Sequence, residues 1–369
     1  MAANRLKGVL AHLGASPKPL PTFDELPNFK EFPGCAWAVW GGSDQLGTIN
    51  LLTDEVVKRA AQEEIRSGKS VCLNWPLNFP EKPMFNRKSP DILSKVRSPP
   101  GITRDDEIHI NTQSGTQWDG LKHFGLIEHG VFYNNTPATE LPIGKFTYPD
   151  PLKVDPEMIK LGIQNWAQHG ICGRGVFLDL VKFFTDSEKA LPYDPWATHG
   201  ISVKDLEACA KYQGTQFRQG DILLLRVGFM QKYNRSTQAE KDALANKPET
   251  FAGIEQSTEM KRFLWDNHFA AIASDQPALE RWPVPAGVPH MHQANSTRVR
   301  AKASAPKYNS MTIFFQRFSL WGMPIGEFFD LEKLSQVCAE TRRYTFFFSS
   351  WPLNILGGCA SPPNAAALF

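Results

Sequence analysis

The sequence predicts an α/β fold with a mixed β-sheet, on three observations: amphipathic helical stretches that each precede a β-rich run, one fully apolar strand, and a composition of 42% hydrophobic and 21% charged residues over 369 positions. A chain of this make-up buries a large core. Residues 1–35 are rich in proline and lack a sustained period, which reads as an arm wrapped on the body. Residues 36–369 read as one domain, because no composition break divides them.

The helical units follow in order. Thr53 can cap a helix that carries Val56, Val57, Ala60, Ala61 and Ile65 on one side, with Gly68 as its stop and the strand-like run SVCLNW after it. Ser202 and Asp205 form a capping box, Leu206, Cys209 and Ala210 make the buried stripe, and Gly214 ends the helix. The run from Asp221 to Val227, DILLLRV, is apolar without alternation, as a strand covered on both faces must be. A third unit takes Asp330 as cap, buries Leu331, Leu334 and Val337, and passes into YTFFFSSWPL. Between these units, residues 294–318 hold five basic residues and no acidic one, with neither caps nor a period. The block reads as an insertion, either a lineage-specific loop or a translated intron.

Charge and cysteine usage bound the function. Forty basic and 38 acidic residues are mixed along the chain, so no basic face is offered to nucleic acid and a small-molecule substrate is expected. No apolar run is long enough to span a bilayer. The six cysteines lack CxxC spacing and several lie in apolar runs, the pattern of free buried thiols in a reducing, cytoplasmic setting.

Residues 113–123, QSGTQWDGLKH, place Gln113, Gln117, Asp119 and His123 on odd positions. In extended chain all four project to one side, whereas a helix would turn Asp119 away from the glutamines. Gly115 disfavours a helix interior. On spacing alone the four could equally be polar residues that satisfy turn amides.

The stretch resembles the HxGTHxDxPxH signature of the cyclase family that includes bacterial kynurenine formamidase and isatin hydrolase, in the branch that carries QWDG. Similar family stretches occur in order: WGGSDQLGTINLLTDE (40–55), GICGRGVFLDL (170–180), GDILLLRVGF (220–229), AIASDQPALERWP (271–283), GMPIGEFFDLEKL (322–334) and PLNILGGCASPPNA (352–365). The resemblance implies a swivelling β/β/α-type domain, usually a homo-oligomer, with a divalent metal, Mn or Zn, that activates water against an amide or lactam carbonyl. By position Asp119 matches the carboxylate ligand, His123 the last histidine, and His292 and Glu327 the downstream histidine and glutamate. Gln113 and Gln117 stand where better-known members have histidines. A glutamine offers only a neutral carbonyl oxygen, which weakens zinc binding and shifts preference toward harder ions or abolishes it. His292 and Glu327 are 35 positions apart, farther than in those members, and the excess coincides with block 294–318.

Catalysis is therefore assigned to His123, Asp119 and Glu327, metal binding to Asp119, Gln113, Gln117, His292 and Glu327, and an aromatic pocket wall to Trp118 and Trp40. His290 is a weaker partner for the metal. His12, His109, His129, His169, His199 and His268 read as structural, although His109 shares the odd-numbered face. Asp275 and Glu280 read as acids behind the site or as capping groups. The activity implied is arylformamidase-like hydrolysis of an aromatic amide or lactam, as in the breakdown of N-formylkynurenine during tryptophan catabolism. A metal-poor cyclase or dehydratase, or a binding protein that has lost its ligands, are the alternatives.

Overall fold

A computed structural model describes residues 19–283 and 319–369. The calls on the first residues of the arm, His12, His290, His292 and the block 294–318 lie outside the described residues. In chain order the strands are β1 (Ser70–Cys72), β2 (Asp91–Ser98), β3 (Thr103–His109), β4 (Gln117–Asp119), β5 (Val131–Phe132), β6 (Thr136–Pro137), β7 (Ile171–Asp179), β8 (His199–Ile201), β9 (Ile222–Arg226), β10 (Ala252–Ile254), β11 (Ala271–Ser274), β12 (Ile325–Glu327), β13 (Thr345–Ser350), β14 (Ala360–Ser361) and β15 (Ala365–Leu368). Nine of them form one sheet in the order β1-β15-β13-β7-β9-β11-β12-β4-β14. The four central strands, β7 to β12, run parallel, and antiparallel strands complete both flanks.

Both faces of the sheet are covered, and side-chain alternation divides the core in two. Val176, Leu178, Leu223, Leu225, Ile272 and Ile325 point to one cluster, while Phe177, Ile222, Leu224, Ala271, Ala273 and Trp118 point to the other. Helices α2 (Val203–Tyr212) and α3 (Thr258–Asp266) fill the first cluster through Leu206, Cys209, Met260 and Leu264. Helix α1 (Asp54–Glu64) packs on β7 and β13, and α4 (Glu332–Thr341) adds Leu334 and Val337 to the second. This explains why β9 reads as a continuous apolar run.

The expected caps are present at Thr53, which accepts from the Val56 amide, and at Ser202, which forms a full capping box with Asp205. Two expectations are corrected. α1 stops at Glu64 and Ile65 turns outward, because the Glu64 carboxylate is drawn inside by Arg174 and Arg343. Asp330 lies one residue before the N-cap of α4 and accepts from the Glu332 amide instead. All six cysteines are free, as expected; Cys35, Cys209 and Cys338 are buried, and Cys72 and Cys359 are exposed.

The described part of the arm is tied down. Phe23 and Phe32 are buried, Trp321 Nε1 donates to the Gly34 carbonyl, and Trp265 Nε1 donates to the Pro21 carbonyl. Among the described residues, no helix is long and apolar enough to cross a membrane.

The contact of β12 with β4 depends on Gly326. A Cβ there would lie 2.5 Å from the Ala273 Cβ and 2.6 Å from Phe329 Cε2, where Trp118 also packs. Gly326→Ala is expected to cost about 1–3 kcal/mol through overpacking. The midpoint of urea unfolding checks it, and an unchanged midpoint would show that this seam is loose.

Candidate active site

The signature folds as turn, strand and turn rather than as one extended strand. Gln113 sits in the first turn, Gln117–Asp119 is β4, and His123 lies in the turn that follows. Thr116 fixes the entry: its hydroxyl accepts from the Trp75 amide and donates to the Phe328 carbonyl. Gly115 is needed for close approach, since a Cβ there would lie 2.6 Å from the Phe79 carbonyl oxygen.

Antiparallel register then assembles the site. Gln117 pairs with Glu327, Trp118 with Gly326 and Asp119 with Ile325. Gln117, Asp119 and Glu327 therefore share one face, and Glu327 stands at the carboxyl end of a parallel strand, where open α/β sheets place their ligands. Gln117 Nε2 donates to Glu327 Oε2 at 2.7 Å and to Gln113 Oε1 at 2.6 Å. Gln113 Nε2 donates in turn to Asp119 Oδ1 at 2.6 Å. The second oxygen of Glu327 accepts from the Leu279 amide at 3.2 Å. All four side chains are buried.

Asp119 Oδ2 lies 3.9 Å from His123 Nε2. A cavity of about 20 Å³ is lined by both residues together with Gly120, Phe124, Ser319 and Met323. That is room for one water molecule. A second cavity of about 620 Å³, within the range of small-molecule pockets, is lined by Trp75, Ile108, Thr112, Thr116, Leu353 and Pro362 among others. The two share no lining residue.

Burial governs the electrostatics. It holds the Glu327 carboxyl well above the ordinary range, the charge of Asp119 adds to this, and Arg87, the Leu279 amide and Gln117 oppose it. Glu280 is raised for the same reasons, burial first and then Glu327, and among the described residues neither of its oxygens has a hydrogen-bond partner. Burial pushes the His123 imidazole down, against the pull of Asp119. Arg87 donates to the Gln113 carbonyl at 2.9 Å, and its own pKa is lowered by burial while Glu327 and Asp119 pull it up.

The structure thus brings together Gln113, Gln117, Asp119, His123 and Glu327. It corrects the pocket call for Trp118: strand alternation turns this residue to the opposite face, where it is fully buried against Phe329 and Phe348 and donates to Ser350. Trp40 packs on Trp265 between the two core clusters and lines neither cavity. His109 is exposed on β3 and bonded to Lys88, so it supplies no imidazole here. Arg87 was missed, because a lone arginine in a proline-rich loop gives no signal in sequence.

Whether a divalent cation fits can be tested on the donors. Among the described residues, no three His, Cys, Asp or Glu side chains converge on a point that could hold an ion. Both glutamine amides turn N–H groups, not oxygens, toward the carboxylates. On these donors the described residues do not fit a catalytic zinc centre, which requires three protein ligands.

A family model described as "Putative cyclase" matches residues 70–281. The crystal structure of a novel cyclase is 26% identical, with a TM-score of 0.71 over 91% of this chain and 97% of that one. An isatin hydrolase bound to the product analogue thioisatinate is 14% identical, with a TM-score of 0.50 over 85% of this chain and 95% of its own. A potential metal-dependent hydrolase with cyclase activity is 14% identical, with a TM-score of 0.42 over 81% and 96%. No curated protein sequence matches the chain.

Two outcomes test this geometry. Gln117→Leu removes the donor to both Gln113 and Glu327 and should destabilise the fold by about 1–3 kcal/mol for each orphaned acceptor. Glu327→Leu in the same chain should restore part of the loss, and an unshifted unfolding midpoint for the single variant would remove Gln117 from the chain of bonds. Asp275, behind the site, accepts from the Val227 and Gly228 amides, yet burial pushes it from an ordinary 3.8 up to about 7. The folded chain keeps a proton that the unfolded chain has lost, so this group lowers stability as pH rises from about 4 to about 7. Asp275→Asn should therefore gain on the wild type as pH rises from about 4 to about 7 in urea unfolding. Parallel curves for the two proteins would contradict it.

Proposed function

The chain belongs to the cyclase family, and we propose that it is a hydrolase of small molecules that cleaves the C–N bond of an aromatic amide or lactam, arylformamidase-like in its chemistry and of the N-formylkynurenine type in its substrate. One observation carries this reading: Asp119 Oδ2 lies 3.9 Å from His123 Nε2, and both residues line a cavity the size of one water. The relation to isatin hydrolase supports the fold that this requires, and the substrate class is our own extension.

The residues have separable tasks. Gln113 holds one oxygen of Asp119, which leaves Oδ2 toward the imidazole. Burial favours the neutral form of His123, whose unprotonated ring nitrogen can take a proton from water as the oxygen attacks the carbonyl carbon. Asp119 then stabilises the imidazolium. When the C–N bond breaks, the same proton passes to the departing nitrogen, and the products are an amine and a carboxylic acid, which releases its remaining proton to solvent.

Purified protein would be assayed with N-formylkynurenine and with isatin-type lactams. Turnover of one of them is expected, and Asp119→Asn should lower kcat/KM by at least about 100-fold, the scale of general-base assistance. Unchanged turnover in that variant, or no turnover of either substrate class, would end the reading.

A further inference from the structure

Two buried carboxyl groups on one face of a sheet need positive charge or hydrogen-bond donors between them. Between Asp119 and Glu327 those donors are amides. Both protons of Gln117 Nε2 are committed, one to Gln113 Oε1 and one to Glu327 Oε2, and Gln113 Nε2 reaches Asp119 Oδ1. The series Asp119–Gln113–Gln117–Glu327 is thus continuous, with bonds of 2.6, 2.6 and 2.7 Å. Arg87, held on the Gln113 carbonyl, supplies the full positive charge that acts on both carboxyl groups.

This arrangement opposes a cation. Turning either amide to offer its oxygen to an ion would set that oxygen against a carboxyl oxygen, and would break at least one bond of the series. Among the described residues, the buried acceptors of the four side chains that stay unpartnered are Asp119 Oδ2 and Gln117 Oε1. Two oxygens fall short of the three protein ligands of a catalytic metal.

We propose that this is a metal-free acid–base centre, in which the amides of Gln113 and Gln117, with the Arg87 guanidinium, do the charge compensation that a divalent ion would otherwise do. The inference rests on the site described above, and is independent of which substrate it takes.

The test measures metal, not turnover alone. The full chain, purified without chelator, would be analysed for metal content and then dialysed to equilibrium against Mn²⁺ or Zn²⁺. Less than about 0.1 ion per chain is expected, with no change in melting temperature on adding chelator, whereas Gln113→His/Gln117→His should take up roughly one zinc ion per chain. A wild-type protein that holds one ion per chain, released by Asp119→Asn, would overturn the proposal. So would a folded histidine variant that takes up no zinc. If that variant does not fold, the wild-type and Asp119→Asn measurements still decide. A metal-loaded wild type that turns over amides would end this proposal and keep the hydrolase reading. Metal-free protein without turnover would do the reverse.

Discussion

The cross-strand pairing of Gln117 with Glu327 is the constraint on which the site depends. Side-chain period in a strand is two, so a slip of one residue between β4 and β12 would send Gln117 and Asp119 into the apolar layer and bring Trp118 to the polar side. Trp118 and Gly326 prevent that slip. The indole needs the space that only a glycine leaves opposite it, and its N–H finds Ser350. Polar chemistry on one face is therefore positioned by hydrophobic packing on the other.

That positioning concentrates acids where water cannot separate them. Glu280 and Glu327 are both fully buried; burial raises both, the charge of Glu327 adds to it at Glu280, and the charge of Asp119 adds to it at Glu327. Groups coupled in this way share their protons as a set, and they cannot all be ionised. The counterweights are dipoles and one guanidinium: the Leu279 amide, the two glutamine amides and Arg87. Asp275 repeats the arrangement one strand away, capping two backbone amides after β9. The charges that act on Asp275 are those of Glu332 and Arg226, and Arg226 pairs with both Asp179 and Glu332.

Much of this was legible in the sequence, for local reasons. Thr53 and the Ser202–Asp205 box announce their helices because caps act within one turn, and the apolar run of β9 reveals cover on both faces because alternation is lost only there. The side shared by Gln117 and Asp119 followed from period two, whereas Glu327 came from the resemblance alone. What was not legible depends on distant partners. Trp118 fits a pocket wall for a flat aromatic substrate as well as it fits a core, and only the pairing with β12 shows that it faces the core. Ile65 read as the last buried position of its helix, yet the ion pairs of Glu64 end that helix one residue earlier. Arg87 reaches the site from a loop with no period at all.

Spacing along the chain is a poorer guide to the site than register. The anchors before and after the long separation of the downstream motifs are both firm. Trp282 pairs with Phe251 on one side, and on the other Ser319 donates to the Phe124 carbonyl while Leu320 accepts from the Ala36 amide. Glu327 is then set by eight residues of chain after Ser319 and by its own pairing with Gln117, and not by the distance back to residue 283. The entropic cost of a longer connection grows only with the logarithm of its length. An insertion between these anchors can therefore lengthen the chain without moving the carboxyl group, which is why sequence distance between motifs and geometry within the site are independent here.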